Sequence, residues 1–99
     1  KSEPILNDAV MADALQVGID EVAELVETGS GYLGVPLERC SDQFLKRFGN
    51  ADLVISKGQA NFETLDEADR EIFFILKAKC PIVAERLGVK LYDMVFLRR

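Results

Sequence analysis

The sequence predicts an α/β fold, three layers deep, with a mostly parallel sheet of about four to five strands flanked by helices. Three observations carry this expectation. Short apolar runs alternate with stretches of helical periodicity from one end to the other. The run "IFFILKA" (72–78) is a continuous β-branched and aromatic stretch, as in a strand covered on both faces. Glycine, serine and asparagine punctuate the joins. Such alternation implies parallel strands linked by right-handed crossovers.

The elements follow in order. "EPILND" (3–8) reads as a short strand or extended entry, with Pro4 early enough to spare the ladder. In "AVMADALQVG" (9–18), Val10, Met11, Ala14 and Leu15 recur at helical spacing, and Gly18 is a natural stop. "EVAELVET" (21–28) suits helix or strand, and the following "GSGYLG" favours a strand emptying into a glycine-rich loop. "SDQFLKRFGN" (41–50) is a helix capped by Ser41, with Phe44, Leu45 and Phe48 on one face. "DLVIS" (52–56) is a buried strand, and Thr64 is the expected cap of a brief turn or helix in "LDEADRE" (65–71). "CPIVAERLG" (80–88) is a helix with Pro81 at its first position and Gly88 at its end, and "YDMVFLR" (92–98) is a closing strand. No repeat, low-complexity segment or linker marks an internal boundary, so residues 1–99 are expected to form a single α/β domain.

Composition narrows the function. Ninety-nine residues with 48% hydrophobic content suit one small domain, able to bury roughly 60–65% of its unfolded surface. Seventeen acidic against twelve basic residues give a net charge of −5. That balance opposes nonspecific nucleic-acid binding, which needs clustered positive charge. The apolar runs are too short to span a bilayer and no secretory signal opens the chain, so the expectation is a cytoplasmic protein with no membrane partner. Cys40 and Cys80 lack CxxC spacing and read as reduced thiols. With no histidine in the sequence, Ser-His-Asp and Cys-His catalysis and His-ligated zinc are excluded within this chain.

Ligands of open parallel sheets gather beyond the carboxyl ends of strands. Three polar loops are expected there: "ND" (7–8), "TGSGYLG" (28–34) and "SKGQAN" (56–61). Asp8 suits either a ligand for a hard divalent cation or the N-cap of the helix that follows. Asn7 suits a turn or an amide facing a ligand. Lys57 ends a buried strand, where a point-charge cation can neutralise phosphate oxygens, or it is a surface lysine beside a routine turn. Gly58 would allow close backbone approach, and Asn61 can donate to a sugar or phosphate oxygen. The loop is not a Walker A motif, because GxxxxGK[ST] is absent. "TGSGYLG" is a loose likeness of a phosphate cradle and reads better as a plain turn. Lys77 and Lys79 read as solvated strand-end cations, and Cys80 as a structural cysteine.

Together, "PILNDAVMADALQVGIDEV", "ADLVISKGQANFETLDE" and "IFFILKAKCPIVAERLGV" occur in the order seen in the damage-control phosphatase family. This family was long catalogued as domain of unknown function eighty-nine, and the sequence resembles its archaeal and bacterial branch over essentially its whole length. "KGQANFE" and "LKAKCP" are the most specific pieces. The resemblance implies a metal-dependent phosphatase acting on small phosphorylated metabolites, such as sugar phosphates or damaged phosphorylated cofactors. It implies a divalent ion (Mg, Mn, Co or Ni) held in part by Asp8, a substrate phosphate contacted by Lys57, and Asn61 nearby. The family's Asp-Asn pair followed by glycine and glutamate is missing, as is its helical N-terminal region. The resemblance therefore implies the C-terminal α/β portion of a longer protein, with upstream residues of the same protein completing the metal site. Ala60 departs from the family's usual glycine or aspartate, and "GSGYLGVP" from its usual Pro-Gly ending.

Three rival readings have sequence discriminators. A noncatalytic phosphometabolite-binding module would keep Lys57 and bind without turnover. A structural α/β module would bind neither metal nor ligand. A receiver-type domain needs a phosphoacceptor aspartate at a strand end, where this chain has Ser56-Lys57.

Overall fold

The computed structural model describes residues 1–99, which divide into two compact units, Lys1–Asn50 and Ala51–Arg99. The first unit is helical and irregular. Helix α1 (Met11–Gln16) starts after Val10, whose backbone N–H donates to the Asp13 carboxylate at 2.8 Å. It ends as Gly18 turns into the left-handed region, φ 75°, before a single 3-10 turn at Ile19–Glu21. A second 3-10 turn spans Leu37–Arg39. Helix α2 (Asp42–Asn50) opens with the Ser41 hydroxyl accepting from the Phe44 N–H at 3.2 Å, the cap the sequence predicts. Phe44 and Phe48 stack one turn apart, with ring centroids 6.0 Å apart. Arg47 of α2 forms an ion pair with Glu24 through both terminal guanidinium nitrogens.

The second unit carries the sheet, in the order β1 (Ile55–Lys57), β2 (Phe73–Lys77), β3 (Met94–Arg98). β1 and β2 pair in parallel, with Lys57 opposite Ile75. β2 and β3 pair antiparallel, with Phe74 opposite Leu97. Helix α3 (Gln59–Leu65) connects the parallel pair and helix α4 (Pro81–Leu87) the antiparallel one. Alternation sends Ser56, Phe74 and Leu76 to the covered face, where the Phe62 ring of α3 meets Phe74 edge-on at 5.3 Å. Leu65, Ile72, Ala78, Val83 and Ala84 are buried with them in this core.

An ionic cluster closes the same unit. The Asp66 side chain, 1% exposed, faces Arg86 at 2.5 Å and Arg99 at 3.2 Å. Its oxygens are charge-paired, yet neither accepts an aligned hydrogen bond. Both guanidinium groups also lie over the Phe62 ring, 5.8 and 5.9 Å from its centroid.

The α/β class holds, with differences in detail. The sheet has three strands rather than four to five, and its two pairings are split between parallel and antiparallel. Residues 5–8 form a turn, with the Asp8 N–H donating to the Ile5 carbonyl at 3.0 Å. Residues 21–28 leave a 3-10 turn and run on without joining a ladder. A strand exists only through hydrogen bonds to a neighbour, and neither segment has that neighbour in the sheet. Thr64 does not cap a helix start. Its hydroxyl donates back to the Ala60 carbonyl at 3.0 Å, placing it within the last turn of a helix that begins five residues earlier. Pro81 and Gly88 fall at the first position and left-handed end of α4 as expected.

Candidate functional site

Of the three polar loops expected beyond strand ends, only 56–61 follows a strand. Lys57 is the last residue of β1, and its side chain is exposed. Gly58 adopts φ 104°, ψ 151°, a backbone region essentially reserved for glycine. A Cβ there would meet nothing within 4 Å, so the conformation alone demands glycine, and open space faces the backbone. The Gly58 N–H donates to the Ile75 carbonyl at 2.9 Å, extending the parallel ladder one residue past Lys57.

Asn61, the third residue of α3, donates its side-chain amide to the Lys57 carbonyl at 2.8 Å. Val54 and Gly58 bond toward β2, so the Lys57 backbone points to the outer edge, and Asn61 satisfies its oxygen there. Lys57, Gly58 and Asn61 therefore form one loop, with Asn61 shaping the turn that presents Lys57.

Two further residues belong to this end of the sheet. Gln59 accepts from the Lys79 N–H at 2.6 Å and donates to Glu63 at 2.8 Å. It also reaches the Cys80 sulfur at 3.5 Å, which in turn accepts from the Val83 N–H and caps α4. Lys77 ends β2 on the same face as Lys57, with its Nζ 5.6 Å from the Tyr92 ring centroid. Lys77 is signalled in the sequence only as the first charge after the apolar run "IFFIL". Gln59 offers no pattern beyond its place after Lys57-Gly58.

Asn7 and Asp8 lie in the first unit. Asn7 is exposed within the turn after Leu6, a residue at φ 47°. Asp8 is 37% exposed, and its carboxylate lies 3.9 Å from the Lys1 ammonium. The cap of α1 is Val10, so Asp8 does not serve as that helix's N-cap. No three His, Cys, Asp or Glu side chains group so as to hold a metal ion. A hard cation takes six or more oxygen ligands, and the single Asp8 carboxylate does not fit such an ion alone.

Three N–H groups of the "TGSGYLG" loop already have hydroxyl partners. Gly29 donates to the Ser2 hydroxyl at 2.7 Å, Ser30 to the Thr28 hydroxyl at 3.3 Å, and Tyr32 to the Ser30 hydroxyl at 3.1 Å. These three N–H groups are therefore already engaged and do not converge on a ligand. At Gly29, φ 78°, a Cβ would lie 2.5 Å from the Ser41 Cβ, so glycine is required by close approach as well. Cys40 and Cys80 are free thiols. Burial pushes the Cys40 thiol up from its ordinary value, Lys1 pulls it down and Glu38 pushes it up.

The parallel β1–β2 pair, with cations and a glycine-only turn at its carboxyl end, is a phosphate-compatible α/β arrangement. The family model for the damage-control phosphatase ARMT1-like domain matches residues 1–95, and the chain belongs to this family. It is 46% identical over 99 residues to damage-control phosphatase PH1575 of Pyrococcus horikoshii, covering 99% of this chain and 34% of that protein. An uncharacterized protein of Methanocaldococcus jannaschii, MJ0202, is 50% identical over 103 residues, covering 100% of this chain and 34% of its own length. A damage-control phosphatase of Archaeoglobus fulgidus is 38% identical over 97 residues, covering 96% and 34%. The crystal structure of a DUF89 family protein from Pyrococcus horikoshii superposes with a TM-score of 0.94 at 44% identity, over 99% of this chain and 35% of that one. The chain thus spans about a third of the length of the relatives it matches. No helix is long and apolar enough to cross a membrane.

Proposed function

We propose that these residues are the C-terminal part of a longer, cytoplasmic, metal-dependent phosphatase that hydrolyses phosphate esters of small metabolites, such as sugar phosphates or damaged phosphorylated cofactors. The observation that carries this reading is the placement of Lys57. It ends β1 beside a glycine-only turn, at the carboxyl end of a parallel pair, where α/β sheets bind ligands. Relatives named damage-control phosphatases support the reaction class.

Each residue has a distinct task in this reading. Lys57 offsets negative charge on the transferring phosphoryl group, and such electrostatic help is most of what phosphoryl transfer needs from a protein. Gly58 leaves room for a phosphate oxygen to approach the backbone. Asn61 fixes the loop through the Lys57 carbonyl, and Asn7 contributes an amide to the substrate. Asp8 supplies one oxygen ligand to a divalent ion (Mg, Mn, Co or Ni), the others coming from upstream residues of the same protein. Because one carboxylate does not make a metal site, the 99 residues alone are expected to be inactive.

The test is phosphate release from a panel of sugar phosphates with Mg²⁺, Mn²⁺, Co²⁺ or Ni²⁺, by this chain and by the full-length protein. Metal-dependent release by the full-length protein alone supports the proposal. Release by neither would leave a noncatalytic binding or structural module. Release by the 99 residues themselves would overturn the divided metal site.

A further inference from the structure

Tyr92 holds a backbone conformation that its side chain disfavours. It lies at φ 71°, in the left-handed region, where a bulky L-residue is an outlier. Among non-glycine residues only Leu6 shares a positive φ. The surroundings keep Tyr92 there. Its N–H donates to the Ala78 carbonyl at 2.7 Å, and the Ala78 N–H donates to the Asp93 carbonyl at 3.0 Å. Asp93 closes the turn: its N–H donates to the Lys90 carbonyl at 3.1 Å, and its carboxylate accepts from the Lys90 N–H at 3.0 Å. Ala78 is fully buried, so the turn is anchored in the core. Strain of this kind collects where a side chain has to be aimed.

The ring is aimed at Lys77. The Lys77 Nζ lies 5.6 Å from the Tyr92 ring centroid, within reach of cation–π attraction. Lys77 shares a face with Lys57, two residues beyond Ile75, which is the partner of Lys57 in the parallel pair. At a rise of about 3.3 Å per residue, two lysines so spaced can converge on one phosphoryl group. The ion pairs of the chain engage Lys1, Arg47, Arg86, Arg98 and Arg99, and neither of these two lysines. A lysine on its flexible stem, with no carboxylate partner, has no fixed place. The aromatic face supplies one.

We propose that Tyr92 is a positioning residue of the site: its ring holds the Lys77 ammonium beside Lys57, so that both cations meet the substrate phosphate. The inference rests on the phosphatase reading above. Glycine or asparagine would suit the backbone at this position better than tyrosine does, so the strain is tolerated for the sake of the ring.

A double-mutant cycle in the full-length protein tests the pairing. It is read by phosphate release from sugar phosphates with Mg²⁺, Mn²⁺, Co²⁺ or Ni²⁺, and by inhibition with inorganic phosphate. Tyr92→Asn suits the left-handed backbone and removes the ring. It should lower kcat/KM and raise the inhibition constant of phosphate by about threefold or more, the scale of one cation–π contact. Tyr92→Phe keeps the ring and should stay within about twofold of the wild type. In a Lys77→Ala background, Tyr92→Asn should change neither value further. An equal factor in both backgrounds, no effect included, would overturn the proposal. So would a lowered urea midpoint in Tyr92→Asn with phosphate inhibition unchanged, which would make the ring an element of the fold only. Wild-type release with independent effects of the two substitutions defeats the pairing and leaves the phosphatase reading standing. A wild type that releases no phosphate defeats that reading, and the same cycle is then read from phosphate binding by calorimetry. Absence of phosphate binding as well would overturn both.

Discussion

The side-chain oxygen of Gln59 accepts a hydrogen bond from the Lys79 backbone N–H at 2.6 Å, tying the chain just past β1 to the chain just past β2. One amide thus holds together the carboxyl ends of the two parallel strands. Gln59→Leu removes this bond and the donor to Glu63. The expected cost is about 1 kcal/mol of stability, by denaturant unfolding. In the full-length protein the same variant should lower kcat for phosphate release more than it raises KM, through misplacement of Lys57. An unchanged kcat would restrict Gln59 to holding the fold.

Lys57→Ala in the full-length protein should cut phosphatase activity on small sugar phosphates by about tenfold or more, the loss typical of removing one electrostatic contact to a transition state. Circular dichroism should be unchanged, since the side chain is exposed. Asp8→Asn should raise the metal concentration needed for half-maximal activity. A wild-type rate in the first variant, or an unchanged metal midpoint in the second, would remove that residue from the site.

Gly58→Ala meets no steric obstacle, yet forces an L-residue to φ 104°. Backbone strain of this kind costs about 1–3 kcal/mol. The variant should therefore lose stability in urea unfolding, or relax the turn and lose activity with stability retained. Wild-type values for both would show that the turn tolerates a side chain.

Asp66→Ala leaves Arg86 and Arg99, both near the Phe62 ring, without their shared carboxylate. Breaking a fully buried pair costs about 3–5 kcal/mol. Here both arginines are nearly half exposed, 45% and 42%, and water screens them. A loss nearer 2 kcal/mol is expected on that account, read by urea unfolding.

Ser56→Ala should be neutral or stabilising. The hydroxyl is buried in β1, 6% exposed, and finds no hydrogen-bond partner within the protein. Removing an unsatisfied buried hydroxyl relieves a desolvation cost of about 1–3 kcal/mol. A lower Tm in this variant would show that the hydroxyl is satisfied in solution.

Much of the second unit was legible from local chemistry. β2 and α4 fall where "IFFILKA", Pro81 and Gly88 place them, and β1 overlaps "DLVIS" at Ile55 and Ser56, because each signal is short-ranged. Burial on both faces does not follow, since Ile55 and Ile75 are exposed. The first unit was less so. Residues 21–28 have strand-like composition, but pairing depends on a neighbour that composition cannot name. α3 was misplaced for a related reason. Gly58 supplies its start without any side-chain cap, and the Thr64 hydroxyl that resembles a cap bonds backward instead. At the candidate site, Lys57, Gly58 and Asn61 fall on one loop by adjacency. The amide bridge of Gln59 spans twenty positions and left no periodic trace.

The bond from Asn61 to the Lys57 carbonyl bears on aggregation as well as on loop shape. Among these 99 residues β1 lies at the margin of the sheet, where bare backbone groups can pair with another strand. Asn61 occupies the last outward carbonyl of that margin, and the Lys57 ammonium sets a charge beside it. A change at Asn61 made to probe catalysis would therefore also strip a guard from the margin of the sheet, and its first visible effect in a concentrated preparation would be turbidity.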